Sequence, residues 1–97
     1  MADYLITIGS DGNPTPNPLS CKPGDRISWK NSTSQPITSF TLPTCVSPQT
    51  SPAPIAIGAT TTQFNVNNRA NGDYNYEYDF PSTTRSPRTG TIDVGDR

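Results

Sequence analysis

The sequence predicts an all-β fold, a β-sandwich or barrel of short strands, and three observations carry that expectation. Apolar and polar residues alternate in short runs, the period-two pattern of a strand with one face in a core and the other in solvent. Clusters of Gly, Pro, Asn, Asp and Ser separate these runs, and each of those residue types favours a turn for its own steric or hydrogen-bonding reason. No stretch carries helical periodicity over a useful length, and no internal repeat is present.

The elements follow in chain order. "DYLITI" (3–8) sets Tyr4, Ile6 and Ile8 on one face, with Leu5 and Thr7 on the other, and reads as a strand. "GSDGNPTPNP" is a loop of turn formers, with Asp11-Gly12 a plain Asp-Gly turn rather than a calcium loop, because spaced oxygen ligands are lacking. Pro23-Gly24 turns the chain into a strand in which Ile27 and Trp29 alternate with Arg26, Ser28 and Lys30. "ITSFTL" places Thr38, Phe40 and Leu42 on a shared face. The proline-rich 43–54 stretch admits little regular structure. "IAIG" and "TTTQFNV" read as two further strands, and "NNRANGD" as a turn. In "YNYEYDF", Tyr74, Tyr76, Tyr78 and Phe80 face the core while Asn75, Glu77 and Asp79 face water; "TGTIDV" is the closing strand.

Composition narrows the classes. Ninety-seven residues suit one domain, spanning 1–97. The hydrophobic share is only 30%, with 11 prolines and 7 glycines, a balance that a disordered chain could share. The net charge of −1 and the orderly alternation favour a folded chain instead. That charge also argues against a nucleic-acid surface, which needs clustered cations to neutralise phosphates. No apolar run approaches the roughly 20 residues of a membrane span. The N-terminus lacks the plan of a signal peptide: a native Met1 implies a cytoplasmic protein, and removal of an upstream signal an extracytoplasmic one. Cys21 and Cys45 are the only cysteines. They form either one disulfide or two unpaired thiols, since bridging needs Cα atoms within roughly 7 Å. Without a CxxC pair, a redox dithiol is not expected. Asn31-Ser32-Thr33 is a glycosylation sequon.

Two stretches resemble a known family. "PGDRISWKN" is similar to a cupredoxin strand that reads Gly-Asp-x-hydrophobic-x-Trp-x-Asn, and "GDYNYEY" with "TGTIDV" is similar to the paired last strands of that family. The resemblance spans roughly residues 3–94 in element order and implies a Greek-key sandwich; an immunoglobulin-like or fibronectin-like sandwich is the alternative. Cupredoxins hold copper with two histidines, a cysteine and a weak axial methionine. The resemblance puts those four ligands at Ile37 or Thr38, at Tyr78, at Pro81 and at Arg88. Every position is substituted, and the chain contains no histidine. No metal or other cofactor is therefore expected.

Tyr78 and Phe80 are expected to fill the former metal cavity. The loop "PSTTRSPRTG", with Arg85, Ser86 and Arg88, is either a recognition surface or an ordinary solvated hairpin end. General acid–base chemistry has only Glu77 and Asp79, more simply read as a wet sheet face, and nucleophilic chemistry lacks a base. The expectation is thus a non-enzymatic, metal-free binding module for a protein or glycan partner, as the copper-less ephrins act by protein contact. The alternative is a structural or surface module, of the adhesin or fibre kind, that packs against sister domains. Nothing in the sequence fixes its oligomeric state.

Overall fold

The computed structural model describes residues 2–81 and 88–95, and every regular element among them is a strand. In chain order these are β1 (Asp3–Ile8), β2 (Pro14–Thr15), β3 (Leu19–Cys21), β4 (Arg26–Asn31), β5 (Ser39–Thr41), β6 (Val46–Ser47), β7 (Phe64–Val66), β8 (Gly72–Asp79) and β9 (Arg88–Val94). They form two sheets, ordered β2-β1-β4-β7-β6 and β3-β9-β8-β5.

Registers explain which residues meet. β1 and β4 run parallel, with Ile6 opposite Trp29 and Ile8 opposite Asn31. The pleat therefore turns Ile6, Ile8, Ile27 and Trp29 to one side, where all four are buried. In the second sheet β8 and β9 run antiparallel from Gly72 opposite Val94 to Tyr78 opposite Arg88. Tyr76, Tyr78, Ile92 and Val94 fill its inner face. β3 joins β9 in parallel, Leu19 opposite Ile92.

Trp29 sits where the two inner faces meet. Its ring stands edge-on to Phe40, Phe64 and Tyr76, with centroids 5.1, 5.6 and 5.4 Å away. Such edge-to-face pairs are worth roughly 0.5–1.5 kcal/mol each beyond the area they bury. Gly90 makes this packing possible from the other sheet. A Cβ there would land on Cζ and Oη of Tyr76, so the tyrosine ring lies directly over the β9 backbone.

The turn before β4 is clasped by a buried carboxylate. Asp25 accepts from the backbone N–H groups of Ala2 and Lys22, both at 2.9 Å, which ties the start of β1 to the β3–β4 turn. Burial pushes the Asp25 carboxyl up, but the two backbone donors outweigh it and hold it below the ordinary carboxylate value.

One expected strand is absent and another is shortened. "IAIG" makes only a single bridge, Ile37 to Ile55, because Pro52 and Pro54 upstream have no N–H to extend a ladder. Of "TTTQFNV" only Phe64–Val66 is strand. Thr61 instead holds β4 with its side chain: its hydroxyl accepts from Trp29 N–H at 3.0 Å while its own N–H donates to Trp29 O at 2.8 Å. A hydroxyl has taken one ladder position from the backbone. On "ITSFTL", Thr38 is exposed rather than inward with Phe40 and Leu42. Conversely, β2 and β6 arise inside stretches expected to be loop or irregular, and β3 in a stretch with no assigned element. Among the described residues, no helix is long and apolar enough to cross a membrane.

Candidate functional site

Because β1 and β4 are parallel, the loops that follow them emerge at the same end of the sandwich. The C-terminal end of β8 arrives there too, since the Tyr78 hydroxyl donates to Gly12 O at 2.6 Å, from the second sheet to the loop after β1. Three segments therefore converge: residues 9–13, residues 32–38, and the ends of β8 and β9.

The first segment is a self-braced turn. Asp11 Oδ1 accepts from Asn13 N–H at 3.0 Å, and Oδ2 from the Asn13 side-chain amide at 3.2 Å. The Asp11 carboxyl is held below its usual value, chiefly by that Asn13 backbone donor. Gly12 has φ +83°, and a Cβ there would meet Arg88 Cζ at 2.9 Å. The guanidinium of Arg88 thus lies against the bare glycine, and its Nη1 donates to Asn13 Oδ1 at 3.0 Å.

The second segment hangs from a buried asparagine. Asn31 is fully buried; its amide donates to Gln35 O at 2.8 Å and to Ile55 O at 3.1 Å. Its Oδ1 accepts from Thr33 N–H and the Thr33 hydroxyl at 3.0 and 2.6 Å. The expected sequon is therefore a structural turn, with its amide beyond the reach of any modifying enzyme in the folded chain. Sequence reading missed this role, although an Asn at a strand end followed by Ser-Thr-Ser was a turn signal.

The residues that the family resemblance puts at ligand positions have separate fates. Ile37 is fully buried and bridges to Ile55, so it belongs to the core. Thr38 is exposed and donates its N–H to Asp79 O at 3.0 Å. Tyr78 is buried, 1% exposed, and Phe80 leans edge-on against it with centroids 6.0 Å apart. Pro81 is exposed. Arg88 is half-buried, directly opposite Tyr78. The structure thus brings Tyr78, Phe80 and Arg88 together, with Thr38 one strand away, while Ile37 is part of the core and Pro81 is exposed. Arg85 and Ser86 lie outside the described residues.

This donor set does not fit copper. A guanidinium carries a fixed positive charge, an isoleucine offers no donor atom, and burial drives the Tyr78 phenol well above its ordinary range, with Tyr76 adding to the shift. Among the described residues, no three His, Cys, Asp or Glu side chains gather as a metal site. Cys21 and Cys45 are buried free thiols in the core, each pushed up to about 11 mainly by burial. Tyr76 and Tyr78 form the expected inward row, while Glu77 faces outward and Asp79 is half-buried. Tyr74 is half-buried, its hydroxyl on the backbone of Asn71.

Between the converging loops lies an open pocket of about 140 Å³, lined by Asp11, Gly12, Thr33, Ser34, Phe80 and Arg88 among others.

No protein-family profile matches the chain, and no curated protein does. Solved structures do. The pseudoazurin of Sinorhizobium meliloti matches with a TM-score of 0.59 at 18% identity, over 99% of this chain and 76% of that one. Fet3p, a multicopper oxidase that functions in iron import, matches with a TM-score of 0.56 at 18% identity, over 99% of this chain but 23% of its own. The chain has a cupredoxin fold, an all-β two-sheet sandwich, and lacks the copper ligands of that fold.

Proposed function

We propose that this cupredoxin-like chain is a metal-free, non-enzymatic recognition module that binds its partner at the end where Tyr78, Gly12 and Arg88 meet. The observation that carries the reading is the Tyr78 hydroxyl bonded to Gly12 O, with Arg88 laid over the same glycine. Together they replace a metal centre with a rigid polar lip. Both loops beside that lip are braced by their own side chains, so little ordering cost remains for binding. The lack of histidine and the burial of both thiols speak against nucleophilic chemistry.

Copper titration tests the negative half. Cu(II) added to the reduced protein should give no intense thiolate-to-copper absorption. Such a band at one equivalent of metal would sink the reading.

A second reading, a module that packs with its own kind, draws on the two outer faces. Along β8 the outward Asp73, Glu77 and Asp79 make no ion pair among the described residues. The opposite sheet turns out Leu5, 45% exposed, and Lys30. Light scattering at low and high salt separates the readings: a salt-sensitive oligomer supports packing, and a monomer at every concentration supports recognition.

A further inference from the structure

We propose that the pocket at the loop end accepts one neutral pyranose ring, such as the terminal unit of a glycan; this rests on the recognition reading above and names its ligand. Size comes first. At about 140 Å³ the pocket falls below the roughly 300–1,000 Å³ of sites that enclose a drug-sized molecule, so it takes one ring and not an extended chain.

Chemistry comes second. A pyranose presents an apolar C–H face and a rim of hydroxyls that both donate and accept. Phe80 supplies a half-buried aromatic ring, steadied by its edge-on contact with Tyr78. Around it stand a carboxylate (Asp11), a guanidinium (Arg88) and the Ser34 hydroxyl. Planar groups of this kind can engage two neighbouring hydroxyls at once, a carboxylate as acceptor and a guanidinium as donor.

Charge comes third and separates ligand classes. Asp11 and Arg88 carry opposite charges and are joined through Asn13, which accepts from Arg88 and donates to Asp11. Their charges offset one another at the pocket. An acidic sugar or peptide meets Asp11, and a basic one meets Arg88, so a neutral polyhydroxylated ligand is favoured over both. The hydrogen bonds also hold these groups in place before any ligand arrives, which keeps the entropic cost of binding low. With so few contacts, the affinity for a single ring should be weak, in the range of roughly 1 mM.

The test is an amide-resolved NMR titration of the whole chain. The probes are the methyl glycosides of glucose, galactose, mannose and N-acetylglucosamine, compared with a uronic acid and with short acidic and basic peptides. The proposal expects at least one neutral glycoside to shift Asp11, Gly12, Ser34, Phe80 and Arg88 in a saturable way. Phe80→Ala and Phe80→Leu, the second keeping apolar bulk without the ring face, should each weaken that binding about tenfold or more while the remaining spectrum stays native. No saturable shift with any neutral glycoside, tighter binding of a charged probe, or unaltered binding by Phe80→Leu would overturn it. If a charged probe binds at these same residues, the sugar assignment fails and the recognition reading stands. If the copper band appears at one equivalent, both fail together.

Discussion

Tyr76 and Tyr78 are two residues apart on one strand, both almost fully buried, yet their hydroxyls are in opposite circumstances. Tyr78 donates to Gly12 O at 2.6 Å. Among the described residues Tyr76 has no partner of hydrogen-bonding geometry, and neither has Trp29 Nε1, although the nearby indole N–H eases the phenol slightly. An unmet hydroxyl in the core contributes nothing to stability, whereas removing one member of a buried pair orphans the other. Tyr78→Phe should therefore cost roughly 1–2 kcal/mol, while Tyr76→Phe should be neutral or stabilising. Urea denaturation midpoints of the two variants decide this, and equal losses would contradict the assignment. The inward row of tyrosines was readable from strict alternation in the sequence. Which hydroxyl has a partner was not, because Gly12 is 66 residues away from Tyr78 along the chain.

At the scale of elements, β9 shows how a strand can be specified by what it leaves out. Gly90 lies directly opposite Tyr76, and the ring occupies the volume a side chain would need. Gly90→Ala pushes a methyl into backbone-fixed aromatic packing, an overpacking that typically costs 1–3 kcal/mol or so. Thermal melting of the variant should show a clear drop, and an unchanged midpoint would mean that the Tyr76 ring moves aside freely. The long strands β1, β4, β8 and β9 were legible because each alternates over a run long enough to set its face. The stretch 55–63 misled for the converse reason. Its β-branched threonines carry strand propensity, but propensity reports a fit to a pleated surface and not the presence of a partner. Here the pairing with β4 stops at one isolated bridge, Thr60 to Lys30, which Thr61 supports with its N–H and its hydroxyl. The candidate site was legible in part: the sequence pointed to Tyr78, Phe80 and Arg88. The Asp11–Asn13 brace is a local, exposed turn contact that the Asp-Gly signal permitted without specifying, whereas the burial of Asn31 against Ile55 depends on tertiary packing that no local pattern encodes.

For the whole molecule, titration ties the core to pH. Burial raises the Cys21 and Cys45 thiols from 9.0 to about 11 and the Tyr76 phenol from 10.0 to about 12. Each group keeps its proton longer in the folded chain than in the unfolded one. Between the two values the unfolded state therefore binds fewer protons, and stability falls as pH rises. Stability from these groups should be full below about pH 9 and should decline above it, most steeply once the phenol of the unfolded state also ionises. Denaturant midpoints measured from neutral pH into the alkaline range test this, and a flat profile through that range would refute it. The sandwich architecture was legible from turn spacing and alternation, and the order of its strands was not. Parallel neighbours such as β1 with β4 are set by long-range pairing.

That strand order bears on how the chain is born. β9 (Arg88–Val94) stands between β3 and β8, so β3 has no partner in the second sheet until β9 has been synthesised. β1, likewise, waits for β4 beside it. The pairing of β3 with β9 joins segments more than 70 residues apart, so it relies on distant encounters and is correspondingly slow.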